Sequence, residues 1–427
     1  MSLASIYSRR TRLLNHLFLG YTGPPFYIRV PSWSWRSTPS SNPAFTLIFT
    51  SPEALNTLLQ NPTEIGLGEA FVSGRLDVEG DIFSAFDVAE WLLSRHTGGG
   101  RRVLAQFIHD YFLLLNWVTQ GPRHSMRRDA AAVSYHYDLP VEFYEPWLGS
   151  TLLYSAAYFR NGTNELDQAQ EDKLDLICRK LELGPGDRFI DIGCGWGSLA
   201  IYAASRYGAR TRGITISRSQ ARVAARRISA AHLGGLCFVE NRDYRDALSL
   251  PYRFDKVASV GMFEHVGVRD LPNYFRIARD LLRPGGVFLN SGIVRSANSP
   301  RRKESFIDQY VFPDGELPTL SEELRAAEEA GLEIRDVESL REHYACTLRL
   351  WVKNLQANTP DLLKTVSERT LRTWLLYMAG SVAAFERGDI SVYQVLLRRP
   401  DGRQNIELRT RENWYVDDRS ESHCPAA

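Results

Sequence analysis

The chain has 427 residues, 44% of them hydrophobic and 24% charged, with a formal net charge of +1. That length exceeds one ordinary core, so two domains are expected, and the balanced charge gives no global pull toward nucleic acid. The five cysteines, Cys178, Cys194, Cys237, Cys346 and Cys424, show no C-x-x-C spacing; this argues against a disulfide framework or a metal site and suits a reducing cytosol. No apolar run approaches the roughly 20 residues that a membrane-spanning helix needs.

In chain order, residues 1–120 read as a separate α+β domain. Arg9, Arg10 and Arg12 precede Leu13, Leu14, Leu17, Phe18 and Leu19, but Asn15 and His16 break the apolar run and no clear cleavage site follows. The reading is a short amphipathic helix rather than a signal peptide. It either packs on the domain or touches a lipid surface. Phe26–Val30 and Phe45–Phe49 read as strands on either side of a turn-rich stretch, 31–43. Ser51 and Pro52 start a helix. The glycines of 66–77 punctuate the next element, and 81–93 and 103–118 read as helices. A basic connector lies within 121–132.

From residue 133 the texture changes to an aromatic-rich segment, followed by helical periodicity over 165–181. A buried strand, Phe189 to Ile192, then runs into Gly193, Gly195 and Gly197. Glycines at such a strand–turn–helix corner let the backbone approach a nucleotide-like ligand. The third glycine comes one residue earlier than in a dinucleotide fingerprint, and Asp191 sits inside the corner. Both departures favour a cofactor without a pyrophosphate, and S-adenosylmethionine is the candidate; a tight turn that binds nothing is the plain alternative.

Strands at 210–216, 236–240, 254–260 and 287–293 then alternate with helices at 217–231, capped by Ser217, and 271–282. Alternation at these lengths means βαβ units and a mostly parallel sheet. Residues 296–318 interrupt the pattern, helices are expected at 337–349 and 363–385, and a late strand at 391–398 reads as an antiparallel edge.

Ordered motifs carry a family resemblance. They include His136–Tyr137–Asp138–Leu139, Tyr154–Ser155–Ala156–Ala157–Tyr158–Phe159, the 191–197 corner, and Gly261–Met262–Phe263–Glu264–His265–Val266–Gly267. Tyr310–Val311–Phe312–Pro313 and His343–Tyr344–Ala345 follow. From about 133 to 398 the chain resembles the cyclopropane-fatty-acyl-phospholipid synthase and mycolic acid cyclopropane synthase family. The resemblance implies an α/β class I methyltransferase fold, Rossmann-like and mostly parallel with an antiparallel edge strand, over 133–400. Within it, 295–318 would form a lipid-site insertion. A smaller lipid-associated α+β domain would precede it and a tail, 401–427, would follow.

It further implies methyl transfer from S-adenosylmethionine to a cis double bond of an unsaturated phospholipid at the membrane surface, in a peripherally associated cytoplasmic enzyme. Longer members often dimerise, so a homodimer is an expectation; no nucleic acid partner is. The cofactor would sit on Tyr154, Ser155, Asp191, Gly193, Gly195, Gly197, Thr215, Gln220, Asp243 and Tyr244. An alkene is a poor nucleophile, and the carbocation it leaves needs electron-rich walls. Tyr137, Tyr154, Phe263 and Tyr310 are the candidates.

In the cyclopropane synthases a bound bicarbonate removes the final proton. By resemblance its ligands here would be Glu264 and Tyr310. Ala156 and Ser291 stand where the family has a cysteine and a histidine, and Ser381 replaces a further cysteine. These departures leave open a cyclopropane product, a methylene or methyl-branched product, or a lipid-binding protein without catalysis.

Overall fold

The computed structural model describes residues 3–38, 42–60, 63–95, 139–160, 165–299, 306–312, 315–402 and 410–415. The expected helix at 103–118 and Tyr137 lie outside them. The chain divides into two units, one built from Met1–Gly121, Arg301–Pro313 and Trp351–Ala384, the other from Pro122–Pro300, Asp314–Leu350 and Phe385–Ala427. The first unit is therefore drawn from three stretches, taking in part of the insertion and most of the last long helix, which the sequence reading assigned to the methyltransferase part.

In the first unit four strands, β1 (Phe26–Val30), β2 (Trp33–Arg36), β3 (Phe45–Phe49) and β4 (Leu76–Gly80), form a sheet of order β2-β1-β3-β4. Alternation buries Phe26, Ile28 and Val30 on one face of β1, where Phe26 stacks on Phe45 with ring centroids 5.3 Å apart. Strand β2 falls inside the stretch expected to be turns. It holds because Trp35 turns inward, 6% exposed, and its Nε1 donates to Asn15. The amphipathic helix, Leu3–Leu17, packs on this core through the buried Leu14, followed by Phe18, and leaves Leu13 and Leu19 exposed.

The glycine-rich punctuation is itself a helix, Glu64–Val72, capped by the Thr63 hydroxyl accepting from Gly66 N–H at 3.0 Å. Gly68 admits Phe306: a Cβ there would meet Phe306 Cδ2 at 2.4 Å. Arg372 Nε and Nη2 donate to the Phe71 and Leu76 carbonyls at 2.7 and 2.8 Å.

The second unit is a seven-stranded sheet of order β10-β11-β9-β8-β5-β6-β7. Its strands are β5 (Arg188–Ile192), β6 (Arg210–Thr215), β7 (Cys237–Asn241), β8 (Phe254–Val260), β9 (Leu282–Arg295), β10 (Glu333–Ser339) and β11 (Ile390–Arg398). Strands β5 to β9 pair in parallel, and β11 is antiparallel to both β9 and β10. The late strand is thus antiparallel as expected but interior; the edge is β10. Residues 337–339, expected to begin a helix, belong to that edge strand, and the helix runs Arg341–Ala357.

Chain order reverses at β5, which pairs with β6 on one side and β8 on the other. In open parallel sheets a ligand crevice forms at the carboxyl ends of such strands.

Candidate active site

At that reversal Phe189, Ile190 and Ile192 are at most 1% exposed. Gly193, Gly195 and Gly197 then take positive φ values of 78°, 53° and 84°. This left-handed conformation strains side-chain-bearing residues. Two of the three are also crowded: a Cβ at Gly193 would lie 2.7 Å from Met262 Cγ, and one at Gly197 3.1 Å from Ala224 Cβ. At Gly195 the nearest atom would be Gln220 Nε2, at 3.9 Å, so the backbone there is open to a ligand.

The larger of two neighbouring cavities opens on this corner. Tyr154, Ser155, Asp191, Gly193, Gly195, Thr215, Gln220, Asp243 and Tyr244 all line it. Gly197 does not; it begins the helix Ser198–Tyr207. Thr215 Oγ1 donates to Gln220 Oε1 at 2.8 Å, which leaves the Gln220 amide N–H groups toward Gly195. That neutral arrangement suits ribose hydroxyls. Asp243 is less free than the sequence suggested. Its carboxylate accepts from Arg245 Nε at 2.9 Å and Nη2 at 2.7 Å while capping the turn through Arg245 N–H. A carboxylate's remaining lone pairs still allow one more donor, such as an adenine amine.

Sequence reasoning missed Lys173. It is 2% exposed, and its Nζ donates to Ser155 Oγ at 2.7 Å. Burial pushes the Lys173 ammonium down and the Asp191 carboxyl up, and each is drawn back by the other's charge. A lysine in an amphipathic helix, Leu166–Lys180, carries no signal that it turns inward.

The smaller cavity shares Ser155, Lys173, Val260 and Gly261 with the first and is lined further by Ala156, Glu264, Ser291, Gly292 and Tyr344. Glu264 sits in the short turn Phe263–His265 that follows β8. Gly292 on β9 makes room for it: a Cβ would stand 1.9 Å from Phe263 Cε1 and 3.1 Å from Glu264 Oε1. Ile293 N–H donates to Glu264 Oε1 at 2.8 Å, while Oε2 is buried with no hydrogen-bond partner among the described residues. Burial raises this carboxyl to about 7, against the pull of the Ile293 N–H.

Glu264, Ser291 and Ala156 are therefore brought together. Tyr310 belongs to the other unit, where its hydroxyl donates to Glu69 and its ring stacks on Phe306. The tyrosine lining the Glu264 cavity is Tyr344, whose ring lies 4.8 Å from that of Phe385; its signal was the His343–Tyr344–Ala345 motif. Phe263 lines neither cavity. It is 1% exposed and packed in the core against the space at Gly292, so it is no wall for a cation. Tyr154 keeps that position, edge-on to Trp147 at 5.7 Å. Ser381 lies in the first unit and donates to the Tyr377 carbonyl.

A parallel sheet reversing at β5, a glycine corner with a buried acid, and neutral donors after β6 define a class I S-adenosylmethionine-dependent methyltransferase. The model of the mycolic acid cyclopropane synthetase family matches residues 124–395, and the chain belongs to that family. It is 43% identical over 383 residues to a probable fatty acid methyltransferase of Pseudomonas putida, covering 88% of this chain and 92% of that one. It is 36% identical over 264 residues to the cyclopropane-fatty-acyl-phospholipid synthase of Escherichia coli, covering 62% and 66%. The solved mycolic acid cyclopropane synthase CmaA1, complexed with S-adenosylhomocysteine and CTAB, superposes with a TM-score of 0.59 at 31% identity, covering 63% of this chain and 98% of that one.

Proposed function

We propose that the protein methylates a cis double bond in unsaturated fatty-acyl chains of phospholipids, through a carbocation on the chain, and that a cyclopropane ring is the product. The observation that carries this reading is the buried carboxyl of Glu264, one oxygen of which has no partner among the described residues, lining a cavity that shares a wall with the cofactor cavity. S-adenosylmethionine, when bound, supplies the electrophilic methyl carbon. Gly193, Gly195, Thr215 and Gln220 would hold it at the strand ends, and Tyr154 turns an aromatic ring toward the same space. Positioning the alkene in line and dry is worth roughly 7–11 kcal/mol of the barrier. A group beside the new methyl must then take a proton, and Glu264 is the candidate for that end of the reaction.

A second reading is supported by Ser291, which replaces the family's histidine, and by the printed name of the Pseudomonas putida relative, a probable fatty acid methyltransferase. In it the cation loses a proton without ring closure and gives a methylene chain, which would become a methyl-branched chain only with a separate hydride donor. A lipid-binding protein without catalysis, the third reading, would bind S-adenosylhomocysteine and transfer no methyl group to any lipid.

The substrate chain comes from a bilayer, so peripheral membrane contact belongs to the proposal. No helix among the described residues is long and apolar enough to cross a membrane, and the exposed Leu13 and Leu19 near Arg12 are candidate surface contacts. The test is incubation with S-adenosylmethionine and vesicles of cis-unsaturated phospholipid. Acyl chains longer by one carbon are expected, with NMR separating ring from methylene. No lengthened chain across several lipids would overturn the proposal.

A further inference from the structure

The family resemblance implies a bicarbonate as base, but the residues around Glu264 do not fit one. The cavity there has room for little more than one water molecule, whereas bicarbonate is a planar group of four heavy atoms. The imidazole that would help hold an anion is replaced by Ser291. Lys173, which lines the cavity, already donates to Ser155 Oγ at 2.7 Å and interacts with the charge of Asp191. One main-chain donor is taken up, because Ile293 N–H is given to Glu264 Oε1. What lines the cavity is the Glu264 carboxyl, whose Oε2 is sealed from solvent and has no hydrogen-bond partner among the described residues. Glu264 lines the smaller cavity only, one turn past Gly261 and Met262, which line the cofactor side.

Building on the proposed function, we infer that Glu264 is itself the proton acceptor, and that the reaction runs without bicarbonate. In the final step a C–H bond of the newly transferred methyl group breaks. Its electron pair forms the bond to the cationic carbon and closes the ring, and the proton passes to Glu264 Oε2. Should the cation first move to the methyl-bearing carbon by hydride shift, the same electron pair becomes the double bond of a methylene group. Atoms balance in both, and no further reactant is needed. The carboxyl's raised proton affinity suits the task, since a base is most effective when its pKa lies near the working pH.

The experiment uses the full-length protein with cis-unsaturated phospholipid vesicles, in buffer stripped of carbon dioxide and in the same buffer with millimolar bicarbonate. Equal initial rates, within about twofold, are expected. Glu264→Gln should lose at least 100-fold in rate, with S-adenosylhomocysteine affinity unchanged and no recovery on adding bicarbonate. Fivefold or greater stimulation of the wild type by bicarbonate, or recovery of the variant by it, would overturn the inference while leaving the proposed function intact. Absence of methyl transfer in both buffers overturns the proposed function and this inference with it.

Discussion

Glu264 and Glu323 are two buried carboxyls of the same sheet region put to different uses. Glu264, raised to about 7, lines the smaller cavity. Because it acts as a base, activity should be full above pH 7 and fall about tenfold per pH unit below it, seen as the acid limb of a kcat profile. Glu323 is 1% exposed and accepts from Asn290 Nδ2 at 2.8 Å, while Tyr274 donates to the same amide at 2.7 Å. Burial, opposed by the Asn290 hydrogen bond, raises it from 4.5 to about 8. Between those values the unfolded chain has released the proton and the folded one holds it, so stability falls as pH rises through that window. Glu323→Gln cannot titrate. Its stability advantage over the wild type, read from denaturant midpoints, should grow from pH 4.5 to pH 8; a constant difference would contradict this.

Among the elements, those with apolar cores were legible: β1, β3 and β8 fall on their expected residues. Strand β10 was not, because its inward residue is Asp336, which pairs with the buried Lys180 at 3.7 Å rather than continuing an apolar alternation. The helix Leu320–Glu329 escaped for a related reason, since Glu323 occupies its buried face. Its start was readable: Thr319 and Glu322 form a capping box, two reciprocal bonds that satisfy orphan N–H groups. The cofactor corner was legible because its glycines answer to local backbone geometry. Tyr344 and Lys173 were not singled out, because only the tertiary fold brings them to Glu264 and Asp191. Gly68 tests an element directly. Alanine usually stabilises a helix interior by about 1 kcal/mol over glycine, but here its Cβ would meet Phe306 at 2.4 Å. Gly68→Ala is expected to destabilise by about 1–3 kcal/mol, measured by chemical denaturation.

At the scale of the whole molecule, the first unit is no detachable leader, since it is completed by Phe306 and by Arg372 from distant parts of the chain. Deleting residues 1–120 would uncover Phe306 and strip Arg372 of both carbonyl partners. The remainder should be poorly soluble or melt several degrees lower, and an unchanged melting temperature would argue against a shared core. The second unit carries both cavities, and the account depends on the wall they share. The most direct measurement compares the wild type with Glu264→Gln on cis-unsaturated phospholipid, following both lengthened acyl chains and S-adenosylhomocysteine affinity. The account predicts one-carbon-longer chains from the wild type, a loss of 10²–10⁴-fold in the variant, and equal affinity in both. Near-normal turnover by Glu264→Gln with affinity unchanged would contradict it.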